Sequence, residues 1–169
     1  MTTQQSSNSK APVINEREFL LERVFKAPKA LVFTAFTEPE HLAKWWAPRP
    51  YTIPICNINL RVGGKWHYCM QSPEGERHWA LAIYEEINSP DSLAYTSTFS
   101  DELGNPTNFV PEQHATVVFR EVDGSTKLSI SYRFESAEAL QATIQMGMIE
   151  GLSMTLDNNL PDLLAEMQS

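Results

Sequence analysis

Between Trp66 and Ile83, bulky apolar side chains fall on every second residue on both sides of Glu74-Gly75. A period of two is foreign to a helix and describes strands that keep one apolar face. Treating Glu74-Gly75 as a two-residue hairpin turn predicts that Ser72 faces Arg77, Met70 faces Trp79, Tyr68 faces Leu81 and Trp66 faces Ile83. Trp66, Tyr68, Met70, Trp79, Leu81 and Ile83 then share one face, and His67, Cys69, Gln71, His78, Ala80 and Ala82 share the other. Such a sheet must have its apolar side covered by something else in the chain.

The same pattern extends in both directions. After turn residues Asn88-Ser89-Pro90-Asp91, Leu93, Tyr95 and Phe99 alternate with smaller or polar residues. A turn at Asp123-Gly124 places Phe119 opposite Leu128, Val117 opposite Ile130 and Ala115 opposite Tyr132. Upstream, a strand over Arg17–Phe25 ends at Ala27-Pro28, and Leu31, Val32, Ala35 and Phe36 then recur at helical spacing. Thr37-Glu38-Pro39-Glu40 ends that helix and starts a second, with Leu42, Trp45 and Trp46 on its apolar side. A strand over Ile53–Leu60 follows, and Gly63-Gly64 permits a sharp turn or bulge. The cover for the sheet is the segment Ser136–Met167, where Leu140, Ile144, Met148, Leu152, Leu156, Leu160, Leu163 and Leu164 follow helical periodicity. Ser136 is its expected N-cap, and Pro161 predicts a kink or fresh helical start near Asn158-Asn159. The fold class is therefore α+β: a meandering antiparallel sheet of about six to seven strands, two short helices after the first strand and a long C-terminal helix.

A chain of 169 residues suits a single domain with a sizeable core. We read residues 1–12 as a polar, disordered tail and 13–169 as the domain. With 13 Lys+Arg against 21 Asp+Glu the formal charge is −8, and no basic run occurs, which argues against nucleic acid or an anionic membrane as partner. No apolar stretch is long enough for membrane insertion and the N-terminus lacks a secretory core, so a cytoplasmic location is expected. Cys56 and Cys69 form no C-x-x-C pair and lie beside no His at ligand spacing, so they read as packing thiols.

Certain strings carry more than pattern: Ala27-Pro28, Val32-Phe33, Ala35-Phe36-Thr37, Pro39-Glu40-His41-Leu42, Lys44-Trp45-Trp46-Ala47-Pro48, Arg61-Val62-Gly63-Gly64, and the late Gly151-Leu152 with Leu156. Together with the order of elements, they resemble the activator of Hsp90 ATPase homologue 1-like family, within the SRPBCC, START or Bet v 1-like helix-grip superfamily. The likeness runs from about Glu16 to Met167. Two positions depart from that family's habit: Asn59 stands where an acidic residue is common, and Leu152 where a Trp is usual. The resemblance implies a cavity between the curved sheet and the C-terminal helix, used in many relatives for apolar small molecules and in a few for catalysis.

The expected occupant is thus a small hydrophobic or amphipathic molecule. The expected lining is Trp45, Trp46, Trp66, Tyr68, Met70, Trp79, Leu81, Ile83, Glu85, Tyr95, Phe99, Val117, Phe119, Ile130, Tyr132, Met148 and Leu152. Aromatic walls with polar tips and flexible thioethers, Met146 among them, suit such a ligand, although the same residues also make ordinary cores. Alternation points Glu85 inward, whereas a β-bulge at Tyr84-Glu85-Glu86, the favoured reading, turns it outward. No catalytic motif, metal set or cofactor signature is found: none of His41, His67, His78 and His114 sits in H-E-x-x-H, and G-x-S-x-G and G-x-x-x-x-G-K are missing. On the hairpin register above, His67 and His78 share the polar face at a distance, and His41 reads as exposed helix surface. Two alternatives stay open: an interaction module that partners an Hsp90-type chaperone, and a polyketide cyclase-like enzyme. A homodimer through the first strand or the Trp45-Trp46 surface is equally open.

Overall fold

The computed structural model describes residues 11–107 and 112–169, so the tail expected at the N-terminus lies, up to residue 10, outside the described residues. The chain runs β1 (Val13–Asn15), β2 (Glu18–Phe25), α1 (Lys29–Thr37), α2 (Pro39–Trp45), β3 (Thr52–Ile58), β4 (Lys65–Gln71), β5 (Arg77–Asn88), β6 (Ser92–Ser100), β7 (Gln113–Val122) and β8 (Ser125–Arg133). It closes with α3 (Ala137–Gln145), α4 (Met148–Met154), a π-helical turn (Thr155–Asn159) and α5 (Leu160–Met167). All eight strands form one sheet in the order β1-β2-β8-β7-β6-β5-β4-β3, antiparallel throughout. This is an α+β helix-grip fold. The strand count exceeds the expected six to seven because Glu16, at φ 43°, reverses the chain and lets the short β1 pair with β2.

The hairpin at Asp123-Gly124 forms as its turn chemistry dictates. Both residues have positive φ, 51° and 80°, and the register pairs Phe119 with Leu128, Val117 with Ile130 and Ala115 with Tyr132. The β4–β5 hairpin departs from expectation by one residue. Its turn spans Ser72–Glu76: the Glu76 carbonyl accepts from the Ser72 amide (2.9 Å), and the Ser72 hydroxyl accepts from the Glu76 amide (3.0 Å). Gly75 takes φ 95°, a conformation that glycine adopts without strain. The pairs are consequently Met70 with His78, Tyr68 with Ala80 and Trp66 with Ala82. Because side chains alternate, this one-residue slip transposes the faces of β5. His78, Ala80 and Ala82 join the inner face, while Trp79, Leu81 and Ile83 move to the outer face with His67 and Cys69. His67 and His78 therefore lie on opposite faces of the sheet, not on a common one.

The outer patch has cover of its own. The His67 ring stacks on Trp79 with centroids 4.9 Å apart, and its Nε2 lies 3.1 Å from the Asp101 carbonyl oxygen. The Asp101 carboxylate organises the loop after β6 by accepting from the amides of Leu103 (2.9 Å) and Asn105 (2.8 Å). Leu81 is buried, whereas Ile83 remains 39% exposed. Farther along β5, Glu85 follows Ile83 on the outer face, where its Oε1 sits 4.0 Å from His114 Nδ1, and a bulge between Tyr84 and Glu86 then returns Ile87 to the inner face opposite Leu93.

The C-terminal cover is segmented. The Ser136 hydroxyl accepts from the Ala139 amide (3.0 Å), the expected N-cap. The helix breaks at Gly147, φ 93°, a stop that the Leu periodicity concealed. The second irregularity is the π-helical turn at Thr155–Asn159, in the region where Pro161 pointed to a kink. It is anchored twice. Asn159 Nδ2 donates to the carbonyls of Trp45 (3.2 Å) and Ala47 (2.9 Å), and Arg23 Nε donates to Asp157 Oδ1 at 2.6 Å. Arg23 projects into the inner side, 4% exposed, so this ion pair ties the cover to β2. Between sheet and cover lies the core, including Phe19, Trp45, Trp66, Tyr95, Phe119, Leu140, Leu156 and Leu160.

Candidate functional site

Part of the interior remains open. A cavity of about 410 Å³ lies between the inner face of the sheet and the α3–α4 junction, within the range of small-molecule sites. Its sheet side is built by Tyr68 and Met70 from β4, His78 and Ala80 from β5, Ser97 and Phe99 from β6, Gln113 from β7 and Tyr132 from β8. Its helical side is Thr143, Met146, Gly147, Met148, Gly151 and Leu152, and Trp46, Pro48 and Tyr51 close one flank. Thr98 completes the wall.

The walls stand because a second tier of rings supports them. Trp66 stacks on Tyr68 at 5.0 Å and meets Trp46 edge-on at 5.1 Å and Tyr95 at 5.4 Å. Trp45 is fully buried and donates its Nε1 proton to the Ala35 carbonyl (2.8 Å), locking α2 against α1. These contacts hold Trp46 in place so that its Nε1 donates to the Tyr68 hydroxyl at 2.9 Å. The Tyr132 and Tyr95 hydroxyls lie 2.9 Å apart. Burial raises the pKa of every one of these phenols, Tyr68 up to about 12, and Tyr95 and Tyr132 well above the ordinary phenol value. They are neutral hydrogen-bonding groups in an apolar setting, not nucleophiles or bases near pH 7.

Of the residues expected to line a cavity, Trp46, Tyr68, Met70, Phe99, Tyr132, Met148 and Leu152 do so. Trp45, Trp66, Tyr95, Val117, Phe119 and Ile130 are buried in the core behind or beside it. Trp79, Leu81, Ile83 and Glu85 are on the far face through the register slip. Sequence reasoning missed His78 and Ala80 for the same reason, since a three-residue loop at 73–75 would have placed them inside. Ser97 was findable, because it shares the alternation of Tyr95 and Phe99. Pro48, Tyr51, Gly147 and Gly151 meet the cavity only through the packing of helices on the sheet.

Other candidate chemistry is dispersed. His41 is half-buried on α2 with Nε2 3.8 Å from Glu38, so it is less exposed than a surface helix position suggests. His114 Nδ1 lies 3.0 Å from the Thr96 hydroxyl on the outer face. Both cysteines are free thiols; burial pushes Cys56 up to about 11 and raises Cys69, which suppresses the reactive thiolate. Among the described residues, no three His, Cys, Asp or Glu side chains gather as a metal site, and no helix is long and apolar enough to cross a membrane.

The Arg61-Val62-Gly63-Gly64 string has a structural cause. Gly63 takes φ 82°, and its amide donates to the Tyr84 carbonyl (2.8 Å), while the Gly64 carbonyl accepts from the Tyr84 amide (3.0 Å). A Cβ on Gly64 would fall 2.0 Å from the Asn59 carbonyl oxygen, so only glycine fits.

Comparison with known proteins places this architecture. A crystal structure of a Nitrosomonas europaea protein superposes with a TM-score of 0.81 at 27% identity, covering 92% of this chain and 99% of that one. One from Mycobacterium smegmatis gives 0.79 at 30% identity, covering 90% and 97%. A solution structure from Arthrobacter aurescens gives 0.85 at 28% identity, covering 94% and 93%. No curated protein matches. The family model described as "Activator of Hsp90 ATPase homolog 1-like protein" matches residues 26–165, a span that contains both short helices, the glycine pair, the cavity walls and most of the C-terminal cover. The chain belongs to the activator of Hsp90 ATPase homologue 1-like family.

Proposed function

We propose that this protein binds a small hydrophobic or amphipathic molecule in the cavity between the sheet and the α3–α4 junction. The observation that carries the reading is the cavity of about 410 Å³ itself, walled by Trp46, Tyr68, Phe99, Met148 and Leu152, with His78, Ser97, Thr98, Gln113 and Thr143 as polar neighbours. Apolar ligands gain from leaving water for such a space, and the phenol tips offer orientation. Titration with a solvatochromic apolar dye, followed by fluorescence and by thermal shift, is expected to saturate with a micromolar dissociation constant. Saturating concentrations that change neither emission nor unfolding temperature would overturn the reading.

A second reading, partnership with an Hsp90-type chaperone, is favoured by the family's description and by Leu60 and Val62, which stand exposed beside Arg61 in the β3–β4 loop. Its test is retention on an immobilised bacterial Hsp90 followed by an ATPase assay. Retention with a stimulated rate supports it; neither effect at micromolar protein removes it.

A further inference from the structure

The proton directions around the cavity say more about its occupant. The indole N–H of Trp46 is a donor only, so the 2.9 Å contact fixes the Tyr68 hydroxyl as acceptor there. Among the described residues, the Tyr68 proton has no acceptor of its own, and Tyr68 lines the cavity. At the second pair either hydroxyl could donate, but the two choices differ in cost. Tyr95 is 1% exposed and sits behind the wall, with Tyr132 as the partner of its hydroxyl. If Tyr132 donated, the Tyr95 proton would be buried behind the wall without an acceptor, whereas the opposite direction leaves the equally buried Tyr132 proton at the cavity, where an occupant can accept it. Tyr95 therefore donates, and the proton of Tyr132, which does line the cavity, is left for an occupant. Tyr68 from β4 and Tyr132 from β8 line the same cavity, so both protons are available to one occupant.

We infer that the cavity selects an uncharged ligand bearing a ketone-type carbonyl, whose oxygen accepts from the hydroxyls of Tyr68 and Tyr132. The inference rests on the ligand-binding reading above and specifies its chemical class. A carbonyl oxygen supplies acceptor lone pairs to two donors and brings no proton that needs a partner. A carboxylate is disfavoured: no Lys or Arg is among the described lining residues and the one imidazole, His78, is exposed to solvent, so an anion held at the buried phenols would give up its hydration without a permanent cation to replace it. The overall charge of −8 works in the same direction. A pure hydrocarbon would leave both phenol protons without acceptors inside an apolar chamber. Because burial keeps both phenols protonated, the donors persist across the physiological pH range.

Three probes of matched shape test this: 2-acetylnaphthalene, its alkene isostere 2-isopropenylnaphthalene, and 2-naphthoate, each titrated into the full chain at neutral pH. The ketone is expected to bind about tenfold more tightly than the alkene, the effect of roughly one net hydrogen bond, and the carboxylate more weakly than the ketone. The infrared carbonyl band of bound 2-acetylnaphthalene, labelled with carbon-13, is expected at lower frequency than in hexane. In Tyr68→Phe and Tyr132→Phe the ketone-to-alkene ratio is expected to fall toward one; should either variant fail to fold, the wild-type ratio and carbonyl band still decide. Equal affinity for ketone and alkene, a carbonyl band at its hexane position, or tightest binding of the carboxylate would each overturn the inference while leaving ligand binding in place. Failure of all three probes to bind would instead strike the ligand-binding reading, and this inference with it.

Discussion

Tyr68, Tyr84, Tyr95 and Tyr132 hold their protons because ionising a buried phenol would place a charge where no water can solvate it. The linkage has a definite sign. Their folded-state values lie above the unfolded value near 10, so the stability this difference represents is fully present below pH 10. It is lost as the pH climbs from there through the folded value, about 12 for Tyr68. Phenolate absorbance during an alkaline titration is therefore expected to show only the exposed tyrosine fraction before unfolding, and the buried fraction in one step with the loss of secondary structure. Early, independent ionisation of all the tyrosines would contradict the burial described. At this scale the sequence was informative about residue type but not about depth. Tyr68 and Tyr132 were legible as inner-face residues from alternation. That Trp66 and Tyr95 support the wall instead of forming it depends on which rings lie nearer the cover, which no one-dimensional pattern encodes. Glu85 is a mixed case: the bulge read at Tyr84-Glu85-Glu86 is present, but Glu85 faces outward with Ile83 through the register slip, and the bulge instead returns Ile87 to the inner face.

Elements depend on backbone positions that tolerate only particular residues. Gly147 separates α3 from α4 at φ 93°, with no atom within 4 Å of where a Cβ would be. Gly147→Ala therefore meets conformational strain alone, and about 1 kcal/mol of stability should be lost. Gly64→Ala meets the Asn59 carbonyl as well, and forces β3, β4 and β5 to adjust where they join, so its loss should exceed that of Gly147→Ala. Urea denaturation of the two variants checks the order; the reverse order would refute the close approach at Gly64. Element identity was largely legible: two proline-initiated turns marked the short helices, and Asp123-Gly124 fixed a hairpin register to the residue. The β4–β5 register was not. Glu74-Gly75 fits a two-residue turn as well as it fits the end of a three-residue loop, and only the Ser72 and Glu76 hydrogen bonds decide between them. The Gly147 break escaped because Ile144 and Met148 keep the helical spacing across it.

For the whole molecule, the helix-grip plan was legible from element order and from the strings around Trp45-Trp46 and Gly63-Gly64, whereas the free volume was not. A void is what remains after every side chain is placed, so it depends on differences among packed volumes. Leu152 illustrates the point: it stands on α4 at the cavity wall, where the resembled family usually carries Trp. Filling that space with Leu152→Trp is expected to weaken dye or ketone binding at least tenfold while holding or raising the unfolding temperature, as buried apolar area is gained. Undiminished affinity with a folded variant would mean that the ligand sits elsewhere. The loop at 73–75 has a related consequence at long range. Closed instead as a two-residue turn at Glu74-Gly75, the same chain would turn β5 inside out and bring Trp79, Leu81 and Ile83 to the inner face in place of His78, Ala80 and Ala82. The hollowness of this protein is thus set by arithmetic at a distant surface turn: the same residues paired one step away would be built to be solid.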